Sequence, residues 1–183
     1  MDLISKNVPI NEPSNSRKTY YEINDNFIMF YYKYIFKYST QRLFLNSRDF
    51  YKEFVEEDFN SKYVPKMFER IAFEYLEIEN KQGKINPPLY KIGKYWFDDP
   101  VNKVNGEFDL VSEDKNGYIV YEVKYQNKKV TEKTVNIEKE QLEKCNVKYY
   151  KMGFFSKNGF DNVDNKKYYL RSLEDLYKID YIK

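Results

Sequence analysis

The spacing of apolar residues changes near residue 85, and this change constrains the fold more than any other feature of the sequence. Before it, residues 63–79 carry apolar side chains at helical spacing, with Pro65 suited to a first helical turn. Gly83 and two prolines then end that helix. After it, apolar and polar residues alternate in three segments, which predicts a meander of three strands. These segments are 90–97, 106–111 and 118–125.

The elements on either side of the meander complete a mixed pattern. Residues 1–18 are polar, which predicts a loop or tail, and residues 19–60 are typical of a helical segment. A helix, two strands and a last helix are expected at 131–145, 147–155, 167–170 and after Ser172. This order predicts an α/β or α+β fold, a sheet covered by helices, with an N-terminal helical segment and a core over residues 61–183.

The residue types that are absent limit the chemistry available to the chain. It has no histidine, which excludes Ser-His-Asp and Cys-His catalysis and the HExxH zinc hydrolases. Its one cysteine, Cys145, excludes internal disulfides and structural zinc sites built on thiolates. Hydrolytic chemistry must therefore rest on carboxylates, lysine, tyrosine and a hard metal ion bound through oxygen.

Charge and hydropathy bear on the cellular compartment of the protein and on the class of partner that it binds. The most apolar run, 27–36, is interrupted by Lys33 and is shorter than the roughly 20 residues that span a bilayer. We therefore expect a cytoplasmic protein without a membrane partner. The net charge is +2, but residues 124–183 hold 14 basic and 9 acidic residues. This basic bias is compatible with nucleic-acid binding.

The second and third predicted strands form a hairpin that gathers charged side chains. The turn EDKNG at 113–117 sets a register in which the numbers of paired residues sum to about 231. Asp109 then lies opposite Glu122, and Glu107 lies opposite Lys124. Alternation places Glu122 and Lys124 on one face of their strand and leaves the other face for the core. That core face is expected to hold Phe108, Leu110, Ile119, Tyr121 and Val123.

Two opposed carboxylates need a compensating charge. Their Cβ atoms lie about 4.5–5.5 Å apart in such a pair, and the side chains repel unless one is protonated or a cation lies between them. A Mg²⁺ or Mn²⁺ ion bound by Asp109 and Glu122 meets this need. Lys124 is then close enough to orient water or to stabilise a phosphorane-like transition state. Spacing alone leaves an alternative open, which is a solvated hairpin face with cross-strand ion pairs.

Short motifs in these strands carry a family resemblance. The run GEFDLV, with YEVKY in the next strand, resembles the D…(D/E)-x-K signature of the PD-(D/E)XK, or restriction-endonuclease-like, nucleases. More broadly, the chain resembles the C-terminal domain of unknown function of archaeal and bacterial AAA/STAND-type ATPases. The matching pieces occur in that family's order over roughly residues 19–160. They are YEINDNFIMFYYKYIF, MFERIAFEYL, IGKYWFDD, GEFDLV, YEVKY and YYKMGFFSKNGF.

The resemblance implies an α/β fold with a restriction-endonuclease-like mixed sheet flanked by helices, and it implies a role for each charged residue. Asp109 corresponds to the metal-binding aspartate, and Glu122 and Lys124 correspond to the (D/E)-x-K pair. Glu69, in the Phe-Glu step of its helix, corresponds to the helical acidic residue of the superfamily, so it is a fourth catalytic candidate. Glu107 occupies an acidic position that is common in the family and is expected to support the metal ligands.

The resemblance also implies partners. The sequence has no GxxxxGK[ST] loop, so the chain would be a fragment or stand-alone C-terminal module of such an ATPase, with residues 1–18 as the end of a preceding winged-helix region. DNA is the expected nucleic-acid partner, and an ATPase domain fused N-terminally is the expected protein partner. Gln141, on the helix after the hairpin, corresponds to a glutamine of some resolvase-like relatives.

Three functions follow from these observations. The first is a Mg²⁺- or Mn²⁺-dependent nuclease that hydrolyses phosphodiester bonds in DNA. The second is a nuclease-fold module without catalytic activity that binds DNA or regulates an attached ATPase. The third is a pure interaction domain. The complete set Asp109, Glu122 and Lys124 favours the first over the third, and the modest net charge keeps the second open.

Overall fold

The computed structural model describes residues 3–99 and 104–178, which form two compact units. The smaller unit holds residues 3–8 and 14–66, and the larger unit holds 9–13 and everything described from residue 67 onward. Within these described ranges, no helix is both long enough and apolar enough to cross a lipid bilayer.

Short helices make up most of the smaller unit. Two strands, β1 (Ile4–Asn7) and β2 (Tyr20–Ile23), pair antiparallel before the first helix. The helices are α1 (Asn26–Phe30), α2 (Ser39–Phe44), α3 (Ser47–Phe54) and α4 (Glu56–Asp58), with π-helical turns at Tyr31–Phe36 and Phe59–Tyr63. The Asp25 side chain caps α1 by accepting a hydrogen bond from the Ile28 amide at 2.9 Å. The helices from Asn26 onward confirm most of the helical prediction for residues 19–60, but β2 is a strand within that segment, and β1 falls in the segment predicted to be a loop or tail.

The long helix α5 (Val64–Lys81) confirms the helix predicted at 63–79. Its apolar stripe is buried at Phe68, Ala72, Tyr75 and Leu76. Gly83 ends the helix with φ of 69°, a left-handed conformation that favours glycine. The Gly83 amide donates to the Asn80 carbonyl at 3.0 Å, which satisfies one of the last carbonyl groups of the helix.

A five-stranded mixed sheet forms the centre of the larger unit. In spatial order its strands are β3 (Lys91–Asp99), β4 (Val104–Asp114), β5 (Gly117–Lys124), β7 (Lys151–Ser156) and β9 (Tyr169–Ser172). The β3–β4 and β4–β5 pairs are antiparallel, and the β5–β7 and β7–β9 pairs are parallel. The remaining elements are β6 (Val130–Thr131), α6 (Glu132–Lys144), β8 (Phe160–Asp161) and α7 (Leu173–Leu176). The predicted α/β class, a mixed sheet flanked by helices, is confirmed.

Both faces of the sheet are covered, each by a different helix. On one face α5 packs on a cluster that includes Leu110, Ile119, Tyr121 and Phe155. On the other face α6 contributes Val135 and Leu142 to a cluster with Val111, Val120, Met152 and Phe154. Alternation along β5 therefore divides its side chains between the α5 face and the α6 face.

A β-bulge in β4 corrects one part of the predicted core. The single residue Lys94 of β3 lies opposite two residues of β4, Asp109 and Leu110. The extra residue breaks the alternation, so Phe108 packs in the same cluster as Val111 rather than with Leu110 as predicted. A bulge depends on how the neighbouring strand pairs, which the pattern within one strand does not reveal.

The close contact between β5 and β7 generates a stability prediction. Gly153 pairs with Tyr121, and a Cβ atom added at Gly153 would lie 2.8 Å from Cε1 of the Tyr121 ring, well inside van der Waals contact. We expect Gly153→Ala to lower the free energy of unfolding by about 1–3 kcal/mol, the usual cost of overpacking. Chemical denaturation measures the change.

Gly93→Ala is the matched control, because a Cβ atom there would meet Ile10 at an ordinary 3.8 Å. Equal destabilisation by both substitutions would contradict the proposed steric cause.

Candidate functional site

The open end of the β4–β5 hairpin is where the predicted site lies. Leu110 pairs with Tyr121, so the predicted register, with residue numbers that sum to 231, is confirmed. The ladder ends at this pair, beside the β4 bulge. Asp109 and Glu122 are the next residue of each strand, and the Asp109 carboxylate contributes to a raised pKa of Glu122. The two predicted metal ligands therefore interact across an end of the hairpin that no ladder hydrogen bond closes.

Lys124 makes two ion pairs at the carboxyl end of β5. Its ammonium lies 2.7 Å from Glu122 on the same strand and 2.8 Å from Glu138 on α6. Burial alone lowers the pKa of Lys124, but the two carboxylates outweigh burial, and the net pKa is raised. Lys124 is thus held as a cation between two anionic side chains.

Glu138 was not predicted from the sequence, although α6 carries a signal for it. Val135 and Leu142 are fully or nearly fully buried, and Glu138 follows Val135 by three residues on the same helix face. Its side chain is only 14% exposed. A carboxylate in an apolar stripe needs a cationic partner, and Lys124 is that partner. Gln141, the residue singled out by resemblance, is exposed one turn further along.

Lys94 is a second residue that the sequence did not predict. Its ammonium lies 3.3 Å from Glu107 and 3.1 Å from Asp109, and the side chain is 18% exposed. Burial lowers its pKa, but Asp109 and Glu107 raise it further, to about 12. The indole of Trp96 also donates to Glu107, at 3.0 Å. The bulge explains the contact, because it sets Lys94 directly opposite Asp109.

Together these side chains form one electrostatic network with an excess of negative charge. Four carboxylates face two ammonium groups, so the fully ionised network has a formal charge of −2. We call this network the carboxylate cluster. Its members are Glu107, Asp109, Glu122 and Glu138, with Lys94 and Lys124.

The Glu122 carboxyl group shows the effect of this excess charge. Burial raises its pKa, the nearby Lys124 ammonium opposes the rise, and Glu138 and Asp109 add to it. The net direction is upward, so the folded protein favours the protonated form more than water does. A bound cation would reverse this preference, because it favours the ionised carboxylate.

Glu69 lies outside the contacts described so far. It is half-buried on α5, next to Phe68, whose ring centroid lies 5.4 Å from that of Tyr125. Tyr125 directly follows Lys124, so this turn of α5 lies at the carboxyl end of β5. The approach of Glu69 to Asp109 and Glu122 stays a prediction.

The donor chemistry of the carboxylate cluster suits a hard cation. Every acidic group in it is a carboxylate, and the chain offers no histidine. Within residues 3–99 and 104–178, no group of three or more acidic, histidine or cysteine side chains has the geometry of a metal site. Mg²⁺ needs no such group, since it keeps several waters and binds through one or two carboxylates. Asp109 and Glu122 stay the predicted ligand pair.

Comparison with known proteins gives a family for the chain. Residues 31–137 match DUF234, a family described as "Archaea bacterial proteins of unknown function". The chain belongs to this family. The match includes Asp109, Glu122 and Lys124, and it ends one residue before Glu138.

Two further comparisons find similarity to proteins of unknown function. An uncharacterized protein of Methanocaldococcus jannaschii, MJECL04, is 35% identical over 96 residues, which cover 52% of this chain and 21% of that protein. The chain thus spans about a fifth of the length of this relative. The crystal structure of a protein of unknown function, AF1548, is 16% identical, with a TM-score of 0.36, over 58% of this chain and 64% of that one.

The raised pKa of Glu122 generates a prediction about stability. A carboxyl group whose pKa is raised by folding contributes stability that is present below its unfolded pKa of about 4.3 and is lost as pH rises through the folded pKa. Glu122→Gln removes that titration. We expect the variant to be more stable than wild type near pH 7 in metal-free buffer, with the difference shrinking as pH falls. Urea denaturation between pH 4 and pH 8 measures it.

Glu140→Gln, on the exposed face of α6, serves as the control and should stay within about 0.5 kcal/mol of wild type. A wild-type protein more stable than Glu122→Gln near pH 7 would show that the ion pair with Lys124 outweighs the cost of burial.

Proposed function

We propose that this chain is a metal-dependent nuclease-type domain of the PD-(D/E)XK class that hydrolyses phosphodiester bonds, with DNA as the expected substrate. The observation that carries the proposal is the Glu122–Lys124 pair at the open end of the hairpin beside Asp109. A net negative charge at that point, with an ammonium among the carboxylates, matches what a divalent cation and a transferred phosphate both need.

Asp109 and Glu122 would hold the divalent ion in this proposal. Burial raises the pKa of Glu122 most, and Glu138 and Asp109 add to the rise against the Lys124 ammonium, so a bound cation would stabilise the ionised carboxylate. Mg²⁺ or Mn²⁺, when bound, supplies Lewis-acid polarisation of a phosphoryl oxygen and lowers the pKa of water. Glu138 stays on the opposite side of Lys124, where it positions the ammonium.

Lys124 would act on the transition state. Its ammonium is fixed between Glu122 and Glu138 at 2.7 and 2.8 Å, so little reorganisation is needed when negative charge develops on a nearby phosphate. Such a group stabilises the transition state more than it stabilises bound substrate. Lys124 also needs no titration for this role, since its pKa is raised and it is a cation at neutral pH.

A second candidate function is a nuclease-fold module without catalytic activity that binds DNA or regulates an attached ATPase. The observation in its favour is that both proposed ligands are already ion-paired, Asp109 with Lys94 and Glu122 with Lys124. A network that satisfies itself in this way is also what a purely structural hairpin surface needs. Metal binding separates the two candidates, because a surface whose carboxylates serve only these ion pairs is not built to take up Mg²⁺.

The resemblance to ATPase C-terminal domains supports the further proposal that the chain works beside an ATPase domain. The relative from Methanocaldococcus jannaschii is about five times longer than the segment shared with this chain, which leaves room for such a domain there. Activity of the chain alone and activity with an ATPase partner are therefore separate measurements.

Metal binding gives the first test of the proposal. We expect the wild-type protein to bind Mn²⁺ and Mg²⁺ in saturable fashion by isothermal titration calorimetry, in preference to Zn²⁺. Asp109→Asn and Glu122→Gln each should strongly weaken saturable binding, since each removes one of the two carboxylates proposed to hold the ion. Glu113→Gln is the control, because Glu113 on β4 forms an ion pair with Lys91 on β3 and lies outside the carboxylate cluster.

If both ligand variants bind the metal as the wild type does, the ion binds elsewhere on the protein. No binding by the wild type would favour the inactive module.

Cleavage gives the second test. Lys124→Ala should lower the rate of plasmid nicking by about 100- to 1000-fold, the usual effect of removing one group that stabilises the transition state. Its affinity for DNA should stay near that of wild type, because the ammonium acts mainly on developing charge. Asp109→Ala should lose both metal binding and cleavage. Nicking is measured with Mg²⁺ or Mn²⁺ on plasmid, and DNA affinity by fluorescence anisotropy.

Lys115→Ala, in the exposed turn at the far end of the hairpin, is the matched control and should cleave like wild type. Equal residual nicking by wild type, Lys124→Ala and Asp109→Ala would identify a contaminating nuclease instead.

A further inference from the structure

We propose that two lysine-bearing loops beside the carboxylate cluster bind the phosphodiester backbone of nucleic acid and do so without reading its sequence. We call them the lysine loops and define them as residues 125–129 and 157–159. The inference rests on the proposed function in one respect, since it names how a polynucleotide substrate would be held at that site. It is nevertheless measurable without cleavage.

The lysine loops are joined to each other and to the cluster. They continue from the carboxyl ends of the parallel neighbours β5 and β7, so they leave the sheet side by side. The Lys157 amide donates to the carbonyl of Lys124 at 3.0 Å, and the Asn158 side chain donates to the carbonyl of Asn127 at 2.6 Å. These bonds place the loops directly next to the proposed catalytic lysine and limit their freedom to move.

The charges on the lysine loops have one sign. Lys128 and Lys129 are exposed, and Lys157 is half-buried. The Lys157 ammonium lies 4.6 Å from the centroid of the Tyr125 ring and donates to the Asn127 side chain at 2.9 Å, so its position is set before any ligand binds. Neither loop contains an acidic residue. The loops that carry these cations thus adjoin, through the backbone of Lys124, the strand end that holds the carboxylate cluster.

The kind of cation points to phosphate rather than to base edges. Neither lysine loop contains an arginine, the residue that most often reads guanine through paired hydrogen bonds. Lysine acts on phosphate as a point charge and needs no particular base nearby. Because phosphate contacts carry no direct sequence information, a surface built from lysine is suited to binding any sequence.

The one aromatic ring in the lysine loops, that of Tyr125, already contacts other side chains of the protein. The ring of Tyr125 contacts the ring of Phe68, with centroids 5.4 Å apart, and Lys157 lies over it. A ring engaged in this way is not available as a stacking platform for an unpaired base. This favours a contact with the backbone of a duplex over the stacking that single strands require.

Salt dependence of binding tests the inference. Fluorescence anisotropy is measured in EDTA, so that no cleavage occurs, on duplex DNA of two unrelated sequences, on single-stranded DNA and on duplex RNA. For Lys128→Ala/Lys129→Ala, we expect the magnitude of the negative slope of log K against log salt to decrease by about 1 for each lysine removed, equally for both DNA sequences. Lys157→Ala should weaken binding in the same manner.

The matched control is Lys144→Ala/Lys148→Ala. These two lysines are also exposed, but they lie at the end of α6 and before β7, on the side of the sheet where β7 begins. The control removes the same formal charge. It should leave the salt slope close to that of wild type, because these lysines lie away from the lysine loops. Loss of binding by both double variants in equal measure would show a general charge effect and overturn the inference.

The outcomes separate this inference from the proposed function. An unchanged salt slope in the Lys128/Lys129 variant, or strong preference for one DNA sequence, overturns the role of the lysine loops, and metal binding by Asp109 and Glu122 would be unaffected. If nucleic-acid binding depends on the lysine loops in a protein that takes up no metal, the result supports the proposed role of the loops and contradicts the proposed nuclease function. Binding of duplex DNA or duplex RNA that weakens when the lysines of the loops are removed supports the inference. The duplex that the wild type binds more tightly identifies which nucleic acid the loops hold.

Discussion

The central position of β5 is the constraint on which the larger unit depends. This strand pairs antiparallel with β4 along one edge and parallel with β7 along the other, and both of its faces are covered. Ile119 and Tyr121 therefore face α5, and Val120 packs with the α6 cluster. The same alternation carries Glu122 and Lys124 to the α6 side at the strand's carboxyl end. Charged groups held this close to a core need partners, and Glu138 completes the set.

Local sequence determined what could be predicted correctly. The helix at 63–79, the three strands of the meander and the hairpin register all depend on spacing and turn residues within a few positions of each other. Gly117, for example, has φ of 122° in the turn, a conformation that few residues other than glycine adopt. The β4 bulge depends instead on how β3 pairs with β4, so Phe108 was assigned to the wrong face and Lys94 was missed.

Glu138 illustrates a different limit of prediction. Its unusual place in the apolar stripe of α6 is visible in the sequence, but its partner lies on another strand and becomes apparent only when the fold brings α6 over β5. Resemblance directed attention to Gln141 instead, which is exposed. A charged residue at a buried helix position is thus a stronger signal of a polar site than a motif match of loose spacing, because burial without compensation is costly.

The arrangement of charge around the proposed site also limits the order of binding events. A phosphate that approaches the carboxylate cluster by itself meets a formal charge of −2 and is repelled. The lysine loops offset this repulsion at a neighbouring phosphate but do not neutralise the cluster, since their cations sit past the end of β5. A polynucleotide is therefore held best when the cluster has first gained positive charge. On the proposed function, we expect nucleic-acid affinity at constant ionic strength to rise with divalent ion concentration in the wild type and not to rise in a protein without Asp109.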